Sequence, residues 1–497
     1  MTKFDLNNLF VLDLANNHQG DLKHGLDIIN KLAEIVKKEK VKAAIKFQFR
    51  QLDTFIHPKF KNNKDIKHID RFQSTKLTIE DYKVMIAKIK EHKILTMCTP
   101  FDEESLDVIK NLDIDILKIA SCSCIDIPLI NKISKMKYPI IASTGGASDS
   151  EIDYLVNILE RERSEFALNH CIAIYPTPQE KLQLNQIEYL KKRYYGVAVG
   201  WSTHEDPDDF KTVQLAYAKG ATIFERHVGL ENSKYKLNKY SSNPTQVEKW
   251  IQAYKAAASS CGSEKRPPAS HDEINSINSL LRGVYAKKNI SKGEKINLEN
   301  AYFAMPYQQG FMSVRDWNEN LIAEIDYRID DPIKKMKNKT LSNENLIFDI
   351  LIQVKGMLRE AKILLKPDQK FEISHHYGLN RFREFGAVLI NLINRDYCKK
   401  LIIQLPRQKH PYHHHKKKEE TFHILHGDLE IEKNGNPFQL KPGDIYHVEP
   451  NQWHKFSTLH GVIFEEISTT HYDNDSFYQD QKINDMPKTD RKTVVLG

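Results

Sequence analysis

The chain has 497 residues, which is too long for one hydrophobic core, so about three domains are expected. Its 40% hydrophobic and 28% charged residues are typical of a soluble globular protein. The net charge of +7 is small and comes from scattered lysines without an aromatic-interleaved basic stripe, so nucleic-acid binding is not expected.

The compartment is predicted to be the cytoplasm. The first eight residues are polar and lack the apolar core of a secretion signal. No stretch approaches the roughly 18 apolar residues of a membrane span. The six cysteines are scattered and form no paired framework, which suits a reducing compartment.

Residues 1–262 repeat one pattern eight times, a short β-type apolar run followed by polar residues and a helical stretch. This alternation predicts a parallel sheet covered by helices, and eight units fit a closed (β/α)8 TIM barrel. An open doubly wound sheet is the alternative, weakened because no GxGxxG turn follows the first strand. The predicted strands are residues 9–15, 43–49, 94–100, 116–121, 139–145, 166–173, 196–203 and 222–229.

Polar residues lie where these strands end, which is where a TIM barrel has its active site. Lys46 and Gln48 are two residues apart, so their side chains face the same side of the second strand, and Lys118 lies in the fourth. Two buried lysines are costly without an anionic partner, so a phosphate or carboxylate ligand is predicted. In the alternative, Lys46 and Lys118 simply pair with Glu225 and Asp13.

Two histidines, His204 and His227, lie near the ends of the seventh and eighth predicted strands. Imidazoles on adjacent strands can share a divalent ion. A lone barrel histidine is more often a hydrogen-bonding residue, so the two residues alone leave a metal site undecided.

A linker is predicted at residues 256–272, which contain Gly262, Pro267, Pro268 and several serines. Residues 275–345 are predicted to form a small β-rich domain. Within it, Gly293 lies in a hairpin-like turn between two β-type runs.

A second β domain is predicted at residues 350–475, where short β-type runs alternate with turn sequences, as in a small β-barrel. A leucine-rich helical segment at residues 343–365 leads into it. Residues 476–497 are predicted to be a polar tail.

Each barrel strand carries a short polar motif. The motifs are Asp13-Leu-Ala-Asn-Asn-His18-Gln-Gly20-Asp21, Lys46-Phe-Gln48, Thr99-Pro-Phe-Asp102, Lys118-Ile-Ala-Ser121, Ser143-Thr-Gly145, His170-Cys-Ile-Ala-Ile-Tyr175-Pro-Thr-Pro178, Gly200-Trp-Ser202-Thr-His204 and Glu225-Arg-His227. Taken in order, they resemble the N-acetylneuraminate (sialic acid) synthase family. Beyond the linker, Leu281-Arg282-Gly283 opens a segment that resembles the antifreeze-like (SAF) domain of that family.

The resemblance implies an enzyme that condenses phosphoenolpyruvate with an aldose to a sialic-acid-type sugar acid. It implies that Lys46, Thr99, Lys118, Ser121 and Ser202 hold phosphoenolpyruvate. His204 and His227 would hold manganese or magnesium, which would polarise the sugar aldehyde. In a homodimer, Arg282 would reach the substrate of the partner subunit. The residues expected to be catalytic are Asp13, Lys46, Gln48, Lys118, Tyr175 and Arg282, and those expected to bind substrate are Thr99, Ser121, Ser202 and Glu225.

Four positions depart from the family pattern. Ser123 replaces a glutamate, Ala173 an asparagine and Leu237 an aspartate, while Asp13 keeps a carboxylate where the family has a longer glutamate. The first three lie where sugar or phosphate recognition is expected. The general chemistry is therefore predicted, and the identity of the aldose is left open.

Residues 411–456 contain His413-x-His415, Glu420 and Gly427, then Pro450-Asn-Gln-Trp-His454. These segments resemble the two motifs of a cupin. Alternation along a strand points His413 and His415 inward together, and Glu420 and His454 complete a predicted four-ligand site for an unidentified divalent metal. A histidine-rich surface loop is the alternative. Because cupins host many functions, the fold does not choose a reaction.

Two other functions remain open for the barrel. One is a non-catalytic sugar-binding or regulatory protein whose barrel site has decayed, which Ser123, Ala173 and Leu237 favour. The other is an aldolase that forms a Schiff base at Lys118 or Lys46. Retention of Lys46, Lys118, His204 and His227 opposes the decayed site, because such a site has no reason to keep costly buried charges.

Overall fold

The computed structural model describes residues 4–496, except residues 62, 64, 265, 319, 320, 336–342, 471 and 473. It divides into two compact units, Met1–Pro268 and Ala269–Gly497. Within the described part of the chain, every helix is too short or too polar to cross a membrane.

The first unit is a closed barrel of eight parallel strands. The first strand pairs with both the second and the eighth, which closes the sheet on itself. This confirms the predicted (β/α)8 barrel and excludes the open sheet. The strands are β1 Leu9–Asp13, β2 Lys42–Phe49, β3 Leu95–Pro100, β4 Ile116–Ile119, β5 Ile140–Ser143, β6 Phe166–Cys171, β7 Ala198–Thr203 and β8 Ile223–His227.

Helices cover the outside of this barrel and bury their apolar faces against the strands. Local sequence sets their ends: the Asp21 side chain, for example, accepts a hydrogen bond from the His24 backbone N–H and caps the first helix. The helices are α1 Leu22–Glu39, α2 Leu52–Phe55, α3 Lys67–Ser74, α4 Ile79–Glu91, α5 Glu103–Ile109, α6 Ile127–Ser134, α7 Asp149–Arg161, α8 Asn185–Arg193, α9 Lys211–Ala218 and α10 Pro244–Cys261.

The predicted linker is shorter than residues 256–272. The last helix of the unit, α10, continues through Cys261, and the next helix begins at His271. Alanine is the strongest helix former, and Ala256, Ala257 and Ala258 extend α10 into the predicted linker.

The barrel interior has two layers of side chains. The lower layer is apolar and consists of Leu9, Val11, Ala44, Met97, Ile116, Ile141, Ala167 and Ile223, with Leu6 below them. Side chains two residues apart on a strand face the same side, so the next inward position lies nearer the C-terminal strand ends. There the interior is polar and buried, with Asp13, Lys46, Thr99, Lys118, Ser143, Asn169, Ser202 and Glu225, which we call the polar layer.

The second unit begins with α11 (His271–Leu280) and a small β-rich region. Its strands, β9 Gly283–Ala286, β10 Lys295–Ile296, β11 Ala301–Ala304 and β12 Leu321–Ile322, form two antiparallel pairs around an apolar core. Gly293 lies in a turn with φ +87°, a conformation that favours glycine, as the turn sequence predicted.

The rest of this unit consists of two antiparallel sheets. Helix α12 (Asn343–Glu360) packs Ile350, Val354 and Leu358 against one of them. This β-rich fold confirms the predicted cupin. The elements are β13 Lys370–Ser374, β14 Ala387–Asn394, β15 Tyr397–Gln404, β16 His413–His414, β17 Glu420–Gly427, β18 Leu429–Lys433, β19 Asn436–Leu440, β20 Ile445–Val448, β21 His454–Ser457, β22 Val462–Thr469, β23 Phe477–Tyr478, α13 Gln481–Asp485 and β24 Lys492–Leu496.

The segment predicted as a polar tail takes part in these sheets. Strand β24 pairs antiparallel with β13, and β23 pairs with β16. The sequence Thr493-Val494-Val495 is β-branched and supplies the strand propensity that its polar surroundings obscured.

Candidate active site and metal centre

The centre of the polar layer is a network of buried charges. The Lys46 ammonium lies 2.5 Å from Oε1 of Glu225 and 3.0 Å from Oδ2 of Asp13. Lys118 lies 3.6 Å from the other oxygen of Glu225. The purely structural pairing predicted for these lysines therefore exists, and their burial alone does not demand a ligand.

Protonation states follow from these contacts. Burial acts to lower the pKa of Lys46, but Asp13 and Glu225 outweigh it and raise the pKa above its usual value. For Lys118 burial prevails over the attraction of Glu225, and its pKa is lowered. Burial acts to raise the pKa of Glu225, yet Lys118 and Lys46 together hold it below its usual range.

Hydroxyl groups surround Lys118. Its ammonium donates to Ser143 Oγ, while Ser121 Oγ accepts a hydrogen bond of 3.2 Å from the backbone N–H of Gly145. Ser202 is buried on β7 in register with Glu225. One end of the barrel therefore combines a cation with several small hydrogen-bonding groups.

Two polar atoms in the polar layer are buried without a hydrogen-bond partner, Thr99 Oγ1 and Asn169 Oδ1. Asn169 uses its amide nitrogen to donate to Glu225 at 3.2 Å. Because buried polar groups are nearly always satisfied, the unpaired Thr99 Oγ1 is free to bond to a polar ligand, whereas Asn169 Oδ1 lies against Gly200 of β7.

The rim carries the two predicted metal-binding histidines. The rings of His204 and His227 have centroids 5.3 Å apart. His204 Nδ1 donates to the Ile172 carbonyl at 3.0 Å, which leaves Nε2 with a free lone pair. His227 Nδ1 lies 3.4 Å from Asp13 Oδ2. Burial and then the neighbouring His227 lower the pKa of His204 to about 3, so its ring is neutral, as metal binding requires.

Tyr175 and Gln48 lie beside this pair. The Tyr175 ring is 4.1 Å from that of His204 and is half exposed at the mouth. Gln48 donates from its amide to Asp13 Oδ2 at 3.3 Å. These predicted residues thus come together with His204, His227 and the polar layer.

Arg282 lies in the second unit, at the start of β9. It is exposed, and its guanidinium lies 5.8 Å from the centre of the Phe303 ring. It belongs to a different unit from the other predicted catalytic residues, and its role stays a prediction.

Asn169 was not predicted as a site residue, although its neighbour His170 stands in the motif of the sixth strand. His170 faces the helices, where Nε2 bonds to the Leu182 carbonyl at 2.9 Å and the ring stacks on Trp201. Alternation along β6 places Asn169 and Cys171 on the inner face, a signal that could have identified Asn169.

The second unit holds a candidate metal centre made of His413, His415, Glu420 and His454. Their potential ligand atoms all lie within 4.8 Å of one another, and all four residues are buried. Among the described residues, it is the one group of three or more such side chains that converges in this way.

The three imidazoles of this centre are oriented by the backbone. Nδ1 of His413 bonds to the Pro411 carbonyl at 3.1 Å, and Nδ1 of His454 bonds to the Gln452 carbonyl at 3.0 Å. Nδ1 of His415 bonds to the Asp475 carbonyl at 2.5 Å. A carbonyl can only accept, so each Nδ1 carries a proton, and Nε2 is the ring atom that faces the centre and can bind an ion. Such backbone partners fix the tautomer of metal-binding histidines in proteins.

Lys418 and Asp475 support the centre and were not predicted. Lys418 donates to Glu420 Oε1 at 2.6 Å and also contacts Glu466, and all three side chains are buried. Oε2 of Glu420 and Nε2 of His454 have no hydrogen-bond partner, although they lie 3.1 Å apart. Three imidazole nitrogens and one carboxylate oxygen fit a divalent transition metal.

Comparison with known proteins identifies a family for each of two parts of the chain. A model described as the NeuB family matches residues 35–266, and a model of the cupin domain matches residues 401–462. The second match contains all four residues of the candidate metal centre.

Relatives match more than half of the chain. An uncharacterised protein of Methanocaldococcus jannaschii is 30% identical over 58% of this chain and 82% of its own length. The N,N'-diacetyllegionaminic acid synthase of Campylobacter jejuni is 29% identical over 66% of this chain and 99% of its own length.

A solved structure also matches this chain. The structure of a Chromobacterium violaceum protein named for spore coat polysaccharide biosynthesis protein E is 39% identical, with a TM-score of 0.65. The match covers 66% of this chain and 98% of that protein. The chain belongs to the NeuB family and carries a cupin domain in its C-terminal half.

Proposed function

We propose that the barrel condenses phosphoenolpyruvate with an aldose and releases phosphate, as a synthase of sialic-acid-like sugar acids for cell-surface polysaccharides. The observation that carries this proposal is the polar layer. It contains two lysines, two carboxylates and two polar atoms without a hydrogen-bond partner, and it lies above the apolar lower layer of the barrel. Membership of the NeuB family and the relative named as a legionaminic acid synthase support it.

Phosphoenolpyruvate would bind in the polar layer. Lys118 with the hydroxyls of Ser143 and Ser121 would hold the phosphate, since a cation beside short hydroxyl groups fits its charge and oxygens. The free hydroxyl of Thr99 and the hydroxyl of Ser202 would satisfy the remaining oxygens. Lys46 would contact the carboxylate while staying paired with Asp13 and Glu225.

The neutral rings of His204 and His227 would hold a divalent ion. Such an ion supplies Lewis-acid polarisation of the aldehyde when it is bound. Asp13 orients His227, and the Ile172 carbonyl orients His204. The half-exposed Tyr175 covers the His204 ring from the solvent side.

The reaction forms one carbon–carbon bond. Carbon 3 of phosphoenolpyruvate attacks the aldehyde carbon, and water adds to the cationic carbon 2. Loss of phosphate with its bridging oxygen then leaves the 2-keto-3-deoxy acid. Glu225, between the two lysines, would offset the positive charge on carbon 2, and Asp13 would take the proton of the attacking water.

We further propose that the enzyme is a cytoplasmic homodimer. All six cysteines are unpaired, and four are buried, which suits a reducing compartment. Arg282 is exposed at the start of the β-rich region and matches the family residue that enters a partner's pocket. A dimer would allow it to contact the aldose.

The cupin would bind its own divalent metal through His413, His415, Glu420 and His454. The orientation of all three rings by backbone carbonyls carries this proposal. The centre needs no residue of the barrel, so we propose that condensation is independent of it.

The test is phosphate release from phosphoenolpyruvate with a panel of hexoses and hexosamines, with mass analysis of the products. A synthase releases phosphate only with an aldose, and the product mass equals both substrates plus water minus phosphoric acid. A non-catalytic sugar-binding protein would release none. A Schiff-base aldolase would be inactivated by borohydride in the presence of substrate.

A further inference from the structure

A cavity of about 240 Å³ opens at the mouth of the barrel. Its wall includes Asn16 and Gln48, which follow or end two barrel strands, and residues of the α3–α4 segment. Gln48 also contacts Asp13 of the polar layer at 3.3 Å. One wall of the cavity is therefore shared with the proposed reaction centre.

Arg50 lines this cavity without a charged partner. Its guanidinium lies between two aromatic rings, 4.1 Å from the centre of Phe72 and 3.6 Å from that of Phe101. Nη2 donates to Gln48 Oε1 at 3.2 Å, but Nε is buried with no hydrogen-bond partner. Among the described residues, no carboxylate forms an ion pair with it.

The neighbouring carboxylate, Asp102, already has hydrogen-bond partners. Both oxygens of Asp102 accept hydrogen bonds from backbone N–H groups, Oδ2 from Gln51 at 3.0 Å and Oδ1 from Ser105 at 2.7 Å. Burial lowers the pKa of Arg50 to about 10, which still leaves it charged at neutral pH. Asp13 and Asp102 act on the Arg50 charge only from beyond ion-pair distance. A half-buried cation without a direct ion pair is costly, and an anionic ligand would supply the missing contact.

The geometry favours a planar, bidentate contact. The rings of Phe72 and Phe101 hold the guanidinium plane of Arg50 in place. The N–H donors of a planar guanidinium can then bond to two oxygens of a phosphate or carboxylate at once. The second cation of the cavity wall, Lys76, is 60% exposed and lies 3.8 Å from Asp53 at the rim. The anionic group would enter past Lys76 and end at Arg50.

We propose that Arg50 is a specificity-determining residue that binds a phosphate ester at the end of the aldose remote from its aldehyde. This inference rests on the proposed function, because the aldehyde end must lie at the polar layer. Phosphoenolpyruvate has its own cations there, Lys46 and Lys118. Arg50 is left for the second substrate, and the preferred acceptor is a hexosamine phosphate.

The experiment compares N-acetylmannosamine 6-phosphate with N-acetylmannosamine in the full-length, manganese-loaded enzyme. The wild type should have the higher kcat/KM for the phosphate ester. In Arg50→Gln the ratio of the two kcat/KM values should fall about 100-fold, as expected for a lost charge-assisted contact. Arg50→Lys should fall in between, because it keeps the charge and loses the fork. The control Arg161→Gln removes an exposed arginine at the C-terminal end of α7 and should keep the wild-type ratio.

Two kinetic results would overturn the inference. If Arg50→Gln lowers both kcat/KM values equally, Arg50 only positions Gln48. If wild-type enzyme prefers N-acetylmannosaminuronic acid to the phosphate ester, the ligand is a carboxylate instead.

Calorimetry separates this inference from the proposed reaction. N-acetylmannosamine 6-phosphate should bind to the wild type and about 100-fold more weakly to Arg50→Gln, even if neither turns over. Equal binding to both proteins would overturn the role of Arg50. Absence of phosphate release with every sugar would overturn the proposed reaction alone.

Discussion

The ammonium group of Lys46 lies 2.5 Å from Oε1 of Glu225 in the centre of the barrel, and both side chains are almost fully buried. Glu225 also faces Lys118 at 3.6 Å. Glu225 therefore contacts both lysines that the proposed reaction uses to bind an anionic substrate, while Asp13 pairs with Lys46 alone. Replacing Glu225 should affect both the stability and the activity of the protein.

Replacing Glu225 with glutamine should destabilise the protein. Loss of the carboxylate leaves Lys46 and Lys118 with reduced compensation, and breaking a buried ion pair costs about 3 kcal/mol of unfolding free energy. Denaturant unfolding measures it, with Glu34→Gln in the exposed Lys31–Glu34 pair as the control, for which no measurable change is expected. The double variant Lys46→Met/Glu225→Gln should be less destabilised than the sum of its single variants; simple additivity would contradict the coupling.

Replacing His204 or His227 with alanine should remove the barrel metal. The metal content should fall by about one ion per chain, and phosphate release should fall by several orders of magnitude because the Lewis acid is lost. Elemental analysis and a phosphate assay measure the two effects. His92→Ala, on the exposed end of α4, should change neither. Full activity of a metal-free His204→Ala/His227→Ala enzyme would disprove the metal's role.

Arg282→Ala should raise the KM for the aldose by at least about 10-fold and leave binding of phosphoenolpyruvate intact, because a lost hydrogen bond to substrate costs about 1.5 kcal/mol. Mixing this variant with inactive His227→Ala chains should restore part of the activity, since one pocket of each mixed dimer then has both residues. A stable monomer with unchanged kinetics would contradict the proposed dimer.

The double variant His415→Ala/His454→Ala should lose the cupin metal, about one ion per chain, because two of four ligands are gone. The rate of condensation should be kept. His460→Ala, an exposed histidine of the same domain paired with Asp428, is the control for metal content. A rate that falls with the cupin metal while the barrel metal stays would mean that the domains form one catalytic unit.

Sequence periodicity predicted the barrel because each strand is a short apolar run with a helix after it. Part of the polar layer could also be predicted, because Lys46, Lys118 and Glu225 are charged residues inside apolar runs. Asn169 was missed because the more conspicuous His170 follows it, and only the alternation of β6 separates inner from outer residues.

The contacts that link distant segments could not be read from the sequence. Nothing in the run around Lys418 indicates that its ammonium reaches Glu466, 48 positions further along, or that Asp475 orients His415. The segment that forms strand β24 resembles a tail in the sequence because its partner, β13, lies more than 100 residues earlier. Arg50 belongs to no recognisable motif, and its aromatic neighbours, Phe72 in α3 and Phe101 after β3, come from distant parts of the sequence.

The fate of the bridging oxygen of phosphoenolpyruvate tests the central claim most directly. The enzyme is given an aldose that it accepts and phosphoenolpyruvate labelled with ¹⁸O between carbon 2 and phosphorus. If water attacks carbon 2 and phosphate then leaves, the label must appear in the released phosphate, and the sugar acid must carry oxygen from the solvent at carbon 2. Label retained in the sugar acid would show cleavage between phosphorus and oxygen and would contradict the proposed reaction.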